Sequence, residues 1–472
     1  MWSIVVLTAV VAAGCGRSGS KSAPNTTAGG GTSTTAAAES GLAAGNFGSL
    51  KKVCGPKPAG MTLKATGTGV TADSIQVSTS ADPGFSGRPG LNQELFDTAT
   101  AFTNWCNSLG GINGRKIDLK LRDAKLTEFQ QRMIEACNEG DFMLVGAGNV
   151  LDDTGQKDRL KCGLPGIVGY FVSANAEASD LGIEPIPNPS TAQPVGDLNY
   201  LFKKFPDSKK AVGVLTGNLA TTELQSKKNE EAFKALGANL VYSGVYNAVG
   251  EPTWRPFAEA IKSKGVKGLS YVGEPANLPK LMQALADIGY RLDWVRSDAN
   301  LYDPLVLTAG GATDGLYVRG AIHPFLDPAL AKKNPATQDY LDLMDRYNKG
   351  GKTAYLGVQS LSAWLLFAQA VKECGADVTR DCVYAKALVP TDWTGGGLHA
   401  PANVKEKKQV DCFVLYQVKN GKFTMPDISP NNGIYNCGPD NLVPLKGDYG
   451  TGEKCPNPAY ATDPKPSNCA NK

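Results

Sequence analysis

The sequence predicts an α/β protein of two similar lobes, each a parallel sheet flanked by helices. Three observations predict it. A complete β-loop-α-β unit occupies Thr71–Asp123. The same strand–helix alternation resumes in a second series from Val195 onward. Between the two series, Pro185-Ile186-Pro187-Asn188-Pro189 breaks the pattern as a crossover or surface loop. Strands joined through helices pair in parallel and send their carboxyl ends to one side of the sheet, where ligands bind in open α/β folds.

Each element has its own local reason. Ser74–Ser78 alternates apolar and polar residues and reads as a strand. Ser80–Gly90 is a glycine- and proline-rich loop. A helix over about residues 92–109 follows, with Leu95, Phe96, Ala99, Phe102 and Thr103 near helical spacing. Gly110-Gly111 ends it, Asn113-Gly114 turns the chain, and Lys116–Leu121 is a second strand closing at Asp123. Further on the pattern gives a helix over 128–138, a strand over 142–146, a helix over 152–161 and a strand near 166–168. The second series has helices over 195–205, 222–236, 257–264 and 278–288, and strands over 210–215, 239–245, 268–272 and 294–296. A third segment carries a strand at 315–318 and helices over 337–347 and 357–372. The last helix is apolar nearly all round and is expected in the core. Cys412–Val418 and Lys422–Thr424 flank Asn420-Gly421, a hairpin signal.

The run Leu109-Gly110-Gly111-Ile112-Asn113-Gly114-Arg115-Lys116-Ile117, with Asp123 after the strand, resembles the first unit of type I periplasmic binding proteins. It is most similar to the leucine/isoleucine/valine-binding branch that serves ABC transporters, and the resemblance covers about residues 73–423. It implies two Rossmann-like lobes with parallel sheets, joined by a hinge. Lobe 1 takes 73–194 with about 300–390, and lobe 2 takes 195–299 with about 391–424. Residues 425–472, rich in Pro, Asn and Gly with three cysteines, read as a disulfide-stapled extension beyond the shared fold.

The amino terminus points to a compartment. Ile4–Ala13 is apolar but too short to span a bilayer, and it runs into Val11-Ala12-Ala13-Gly14-Cys15. This resembles a bacterial lipoprotein signal, with residues 1–14 removed and lipid, palmitate included, on the Cys15 thiol. Met1-Trp2-Ser3 departs from the usual pattern in lacking Lys or Arg. Residues 15–48 are dominated by Gly, Ser, Thr, Ala and Asn and read as a flexible tether of ~30 Å reach. The expected location is the extracytoplasmic face of the cell membrane, held by lipid.

With Cys15 assigned to lipid, ten of the eleven cysteines remain, an even number that reads as disulfides outside the cytoplasm. The family resemblance implies Cys137–Cys162, and Cys374–Cys382 closes a short loop between two helices. Cys54–Cys106, Cys412–Cys437 and Cys455–Cys469 are one choice among many connectivities. No Cys-x-x-Cys spacing occurs, so zinc and dithiol redox chemistry find no support.

The 472 residues allow two or three domain-sized units, and a net charge of +3 without clustering gives no basic patch for nucleic acid. Gly-x-Ser-x-Gly, a Walker loop and the dinucleotide fingerprint are missing, and the two histidines, His323 and His399, read as surface or capping residues. No catalytic residue, metal or cofactor is expected. What remains is a set of polar loops at strand carboxyl ends. Helix N-termini there suit a carboxylate, and an acidic side chain can hold an ammonium. Carried over from the family, the ligand set is Phe85, Ser86 and Arg88 in the first loop, Gly148, Asn149 and Val150 in the next, and Tyr170 and Ser173 after the following strand. The second lobe would add Asn218, Thr221, Glu274 and Asn277, with Asn300 and Tyr302 near the crossover. The match departs in three places. Gly148–Val150 lacks the serine that amino-acid binders carry, the Asn218–Thr221 loop lacks their tyrosine, and Asn277 stands where they place an acid, which Glu274 can replace. The resemblance implies an extracytoplasmic solute-binding lipoprotein that delivers a small polar ligand, an amino acid or amide-like compound, to an ABC transporter permease. A ligand sensor of the same fold and a secreted Rossmann-like enzyme are the alternatives.

Overall fold

The structure is a computed structural model and describes residues 41–470. Cys15, the expected signal peptide and the tether as far as residue 40 lie outside the described residues.

Five parallel strands form the first sheet: β1 (Ser74–Ala81), β2 (Lys116–Asp123), β3 (Leu144–Val145), β4 (Gly166–Ile167) and β5 (Gly182–Ile183), in the order β2-β1-β3-β4-β5. β1 and β2 pair without a slip from Ser74 opposite Lys116 to Ala81 opposite Asp123. The connecting helices are α1 (Gln93–Ser108), α2 (Phe129–Asn138), α3 (Gln156–Lys161) and the single turn α4 (Ala174–Glu177). The apolar stripe read from the sequence is the buried face of α1: Leu95, Phe96, Ala99, Phe102 and Thr103 are all buried.

After the crossover come β6 (Ala192–Pro194), α5 (Gly196–Lys204), β7 (Val212–Gly217), α6 (Ala220–Ala235), β8 (Leu240–Tyr246), α7 (Arg255–Ser263), β9 (Gly268–Val272), α8 (Leu278–Asp287), β10 (Trp294–Ser297) and β11 (Leu316–Gly320). Strands β8, β7, β9, β10 and β11 lie side by side in parallel. The chain then returns to the first lobe with α9 (Pro328–Ala331), α10 (Pro335–Tyr347), α11 (Tyr355–Cys374) and α12 (Arg380–Ala387). α11 is the all-round apolar helix. It packs on α1, β3 and β4, and its buried Trp364 stacks on Phe102 with ring centroids 5.2 Å apart. Strands β12 (Cys412–Lys419) and β13 (Lys422–Thr424) complete the second sheet antiparallel to β11, joined through Asn420 and Gly421, both at positive φ.

The lobe boundaries differ from those expected. The sequence places the segment 300–390 in lobe 1, yet β11 pairs with β10 and β12 in the second sheet. It places residues from about 391 in lobe 2, yet Trp393 Nε1 donates to Ser362 Oγ on α11, in lobe 1. A strand's alternation does not specify which sheet takes it, because either sheet offers an open edge of the same geometry. The chain thus crosses between lobes after β5, after β11 and before β12.

The tether also ends earlier than residue 48. Leu42 and Phe47 are buried, Phe47 meets Trp105 edge-on at 6.4 Å, and Trp105 Nε1 donates to the Leu42 carbonyl at 2.8 Å. Among the described residues five disulfides are present: Cys54–Cys106, Cys137–Cys162, Cys374–Cys382, Cys412–Cys437 and Cys455–Cys469. The first fastens the amino-terminal segment to α1. The carboxyl-terminal extension adds β14 (Asn436–Cys437) on β12, β15 (Leu442–Pro444) on β6, and a single turn α13 (Ala459–Thr462). Among the described residues no helix is long and apolar enough to cross a membrane.

If residues 41–54 belong to the packed unit, Phe47→Ala opens a core cavity and lowers the free energy of unfolding by about 3–5 kcal/mol. Urea denaturation checks this. A loss under about 0.5 kcal/mol would return the segment to the tether.

Candidate functional site

A loop leaving a parallel strand has no ladder partner for its backbone N–H groups, so it needs other acceptors. In lobe 1 buried carboxylates supply them. Asp82, at the end of β1, accepts from the N–H groups of Leu126 and Val150 and from Asn149 Nδ2 at 2.9–3.2 Å. Asp152 accepts from the N–H groups of Val172 and Ser173 at 2.7 and 3.1 Å. Glu184, beyond β5, accepts from the N–H of Phe171 at 2.6 Å. Burial raises all three acids against these hydrogen bonds. Asp152 is pushed up to about 7 and Glu184 to about 8. Asp82 shifts in the same direction. Tyr170 is fixed on this scaffold, its hydroxyl accepting from Asn92 Nδ2 at 2.7 Å.

Lobe 2 presents the starts of α6 and α8 and the loop after β10. The hydroxyls of Tyr246 and Tyr271 share a hydrogen bond of 2.6 Å, and Tyr271 donates to the Glu274 carbonyl at 3.2 Å. Burial pushes the Tyr246 hydroxyl up to about 12, so both rings are neutral supports for the loop. Gly273 is the residue the turn requires, because a Cβ there would overlap the Tyr246 hydroxyl. Asn300 Nδ2 donates to the Gly273 carbonyl at 2.9 Å and ties the two loops together.

Between the lobes lies a cleft of about 260 Å³. Arg88 from lobe 1 and Glu274 from lobe 2 form an ion pair across it. On one wall Lys352 Nζ sits 3.0 Å from Glu94 and 3.6 Å from Asp303. On another, Arg319 reaches Asp298 at 3.4 Å. Five carboxyl groups and three cations line the cleft, and with Glu184 protonated at neutral pH the acidic excess falls to one charge. This balance suits a solute carrying a positive group, or both signs together.

Of the residues expected from the sequence, Arg88, Val150, Tyr170, Thr221, Glu274 and Asn300 line the cleft. The others are placed elsewhere. Phe85 and Ser86 lie on the outer loop, Ser86 exposed. Gly148 lies under the Tyr170 ring, which any Cβ would strike. Asn149 is bonded to Asp82. Ser173 caps α4 by accepting from the Ala176 N–H at 3.0 Å. Asn218 accepts from the Ala248 N–H at 2.9 Å, and Asn277 donates to the Ala248 carbonyl at 3.0 Å, both closing one turn. Tyr302 is a core residue stacked on Tyr416 at 3.8 Å. Sequence reading missed Glu94, Glu184, Asp298, Asp303, Arg319 and Lys352. Most stand at the start or end of an element, the one signal that could have marked them.

His399 is buried, not a surface or capping residue. Its Nε2 lies 2.8 Å from Ser362 Oγ, a pair enclosed in the lobe 1 core and not among the residues lining the cleft. Among the described residues no three His, Cys, Asp or Glu side chains are grouped as metal ligands are.

The family model described as periplasmic binding protein matches residues 86–422. No curated protein sequence matches the chain. Solved structures of similar fold include a substrate-binding periplasmic protein from Ralstonia solanacearum, 16% identical over 77% of this chain and 99% of that one, with TM-score 0.60. Another is a fatty acid ABC transporter substrate-binding protein from Thermomonospora curvata, 13% identical over 79% and 95%, with TM-score 0.59. A third is a possible leucine/isoleucine/valine-binding protein from Rhodopirellula baltica, 12% identical over 75% and 97%, with TM-score 0.61. At these identities the likeness establishes the fold.

The raised acids give a pH dependence. A carboxyl whose pKa is higher folded than unfolded contributes stability below its unfolded value, and that contribution is lost as pH rises through the folded value. For Glu184 the window runs from 4.5 to about 8. Unfolding free energy measured across this range should fall with pH, and Glu184→Gln should flatten the fall.

Proposed function

Because the chain belongs to the periplasmic binding protein family, we propose that it is an extracytoplasmic solute-binding protein that captures a small polar ligand in the interlobe cleft. The ligand is an amino acid or an amide-like compound, passed on to an ABC transporter permease. The observation that carries the reading is the pairing of Arg88 from one lobe with Glu274 from the other. A solute with a carboxylate and an ammonium can take Glu274's place on Arg88 and Arg88's place on Glu274. It then bridges the lobes, and its binding energy favours the closed arrangement over the open one.

Further features support it. Asn277, at the position where amino-acid binders place their acid, is turned into a structural bond, while Glu274, three residues earlier, faces the cleft. Of the solved structures described above, the two named for a solute carry the name of a carboxylate-bearing one, and one of them is named as an ABC transporter component. Lipid on Cys15, with the tether behind it, would keep the protein beside its permease at the extracytoplasmic membrane face.

A thermal-shift screen of the purified chain against amino acids, amides, polyamines and short-chain acids tests the proposal. A ligand at ~100 times its dissociation constant adds ~2.7 kcal/mol, a clear rise in midpoint. The expected hit is an amino acid or an amide-like compound, is recovered unchanged after incubation, and binds at least about tenfold more weakly to Glu274→Ala and to Arg88→Ala. Chemical conversion of the hit, or binding indifferent to both substitutions, would refute the reading.

A further inference from the structure

The carboxyl-terminal extension lies beyond the matched family region and touches both lobes. Its first part belongs to lobe 2 and the crossover. β14 pairs with β12, β15 pairs with β6, and the Val195 N–H donates to the Asn441 carbonyl at 2.7 Å. On α6, the Glu231 carboxylate accepts from the N–H groups of Lys446 and Gly447 at 2.5 and 3.2 Å and from the Tyr449 hydroxyl at 2.5 Å. Two to three residues later the chain is on lobe 1. Gly452 packs against the Ala178 carbonyl so closely that a Cβ would overlap it, and its φ is +73°. The Glu453 N–H donates to Ser179 Oγ at 2.8 Å, its carbonyl accepts from the Asp180 N–H at 3.0 Å, and the Cys455 N–H donates to Asp180 Oδ2 at 2.9 Å. Beyond that, Cys455–Cys469 and the bonds of Ser467 to Asp381 on α12 fix the end of the chain.

We propose that residues 446–455 are a strap, a fourth connection between the lobes that limits how far the cleft opens. Two residues separate Tyr449 from Gly452, three steps of chain that each cover at most about 3.5 Å, so the two Cα atoms cannot part by more than ~10 Å. Opening moves α6 of lobe 2 away from α4 of lobe 1, and it strains this link unless one anchor releases. Beneath the strap the lobes share a polar chain. Lys228 on α6 lies 5.7 Å from the Tyr449 ring and donates to Ser190 Oγ at 2.7 Å, while the Ser190 N–H donates to Glu177 of α4 at 3.3 Å. The strap rests on the reading of a two-lobed binding protein that opens and closes, but not on which solute it takes.

A strap is cut equally well at either end, and this separates it from ordinary local packing. Dyes attached through noncanonical residues at the exposed positions Lys157 on α3 and Lys227 on α6 report lobe separation by single-molecule energy transfer without disturbing the disulfides. In the full chain with no solute added, Glu231→Ala with Tyr449→Phe frees the lobe 2 end. Gly452→Ala, whose Cβ overlaps the Ala178 carbonyl, frees the lobe 1 end when combined with Ser179→Ala and Asp180→Ala, which remove the side-chain acceptors of the Glu453 and Cys455 N–H groups. Each cut is expected to at least double the wide-separation population, and both cuts together should do no more than either alone. An unchanged separation in both variants, or effects that add, would overturn the strap. Because no solute is needed, an empty ligand screen leaves this result readable, and a failed strap leaves solute capture standing.

Discussion

A parallel strand can be reached only by a crossover, so every strand of a parallel sheet delivers its outgoing loop to the same edge. The rest of this molecule follows from that constraint, applied twice. Two such sheets face each other, and the loops between them form the cleft. The loops lie where strand ladders have ended, and Asp82, Asp152 and Glu184 stand in as acceptors for their backbone N–H groups. The same carboxylates that hold these loops are therefore desolvated. The open edge of the second sheet at β11 is covered differently, by the antiparallel hairpin β12–β13.

Charge is carried inward with its partners. Arg296 on β10 is fully buried, bonded to Asp197 on α5 at 2.7 Å, to Asn229 on α6 at 3.2 Å and to Asp298 at 3.2 Å. A buried ion pair gains little over an apolar packing of equal volume, but losing one partner strands a charge in low dielectric. What the network does visibly is connect. Asp298 also meets Arg319, so the helices flanking the second sheet are joined through β10 to a carboxylate on the cleft wall. Arg88 and Glu274 are different. Each belongs to a separate lobe, so their attraction acts on the lobes' separation instead of on the fold of either.

Much of the fold was legible because its signals are local. The alternation of β1, the stripe of α1 and the apolar girth of α11 each depend on residues within a few turns of one another. The site was legible where position in the chain implies position in space. Arg88, Tyr170, Thr221 and Glu274 lie in the segments that leave β1, β4, β7 and β9, and strand ends face the cleft. It failed where side chains point inward from the same loops. Asn149, Asn218 and Asn277 are polar loop residues like those that line the cleft, yet their amides close turns. Lys352 and Arg319 enter the cleft from segments whose lobe the sequence does not specify.

The sequence by itself determined the strand–helix alternation, the two-lobed α/β class, the hairpin at Asn420-Gly421 and the chemistry available at strand ends, since each is written in short-range periodicity and turn propensity. Tertiary structure alone decided that β11 joins the second sheet, that Leu42 and Phe47 belong to the core, and that Tyr302 packs on Tyr416 and is not a cleft residue. It alone carried the extension across both lobes. These are choices among partners distant in the chain, settled by which surfaces bury together, and no spacing of neighbouring residues encodes them.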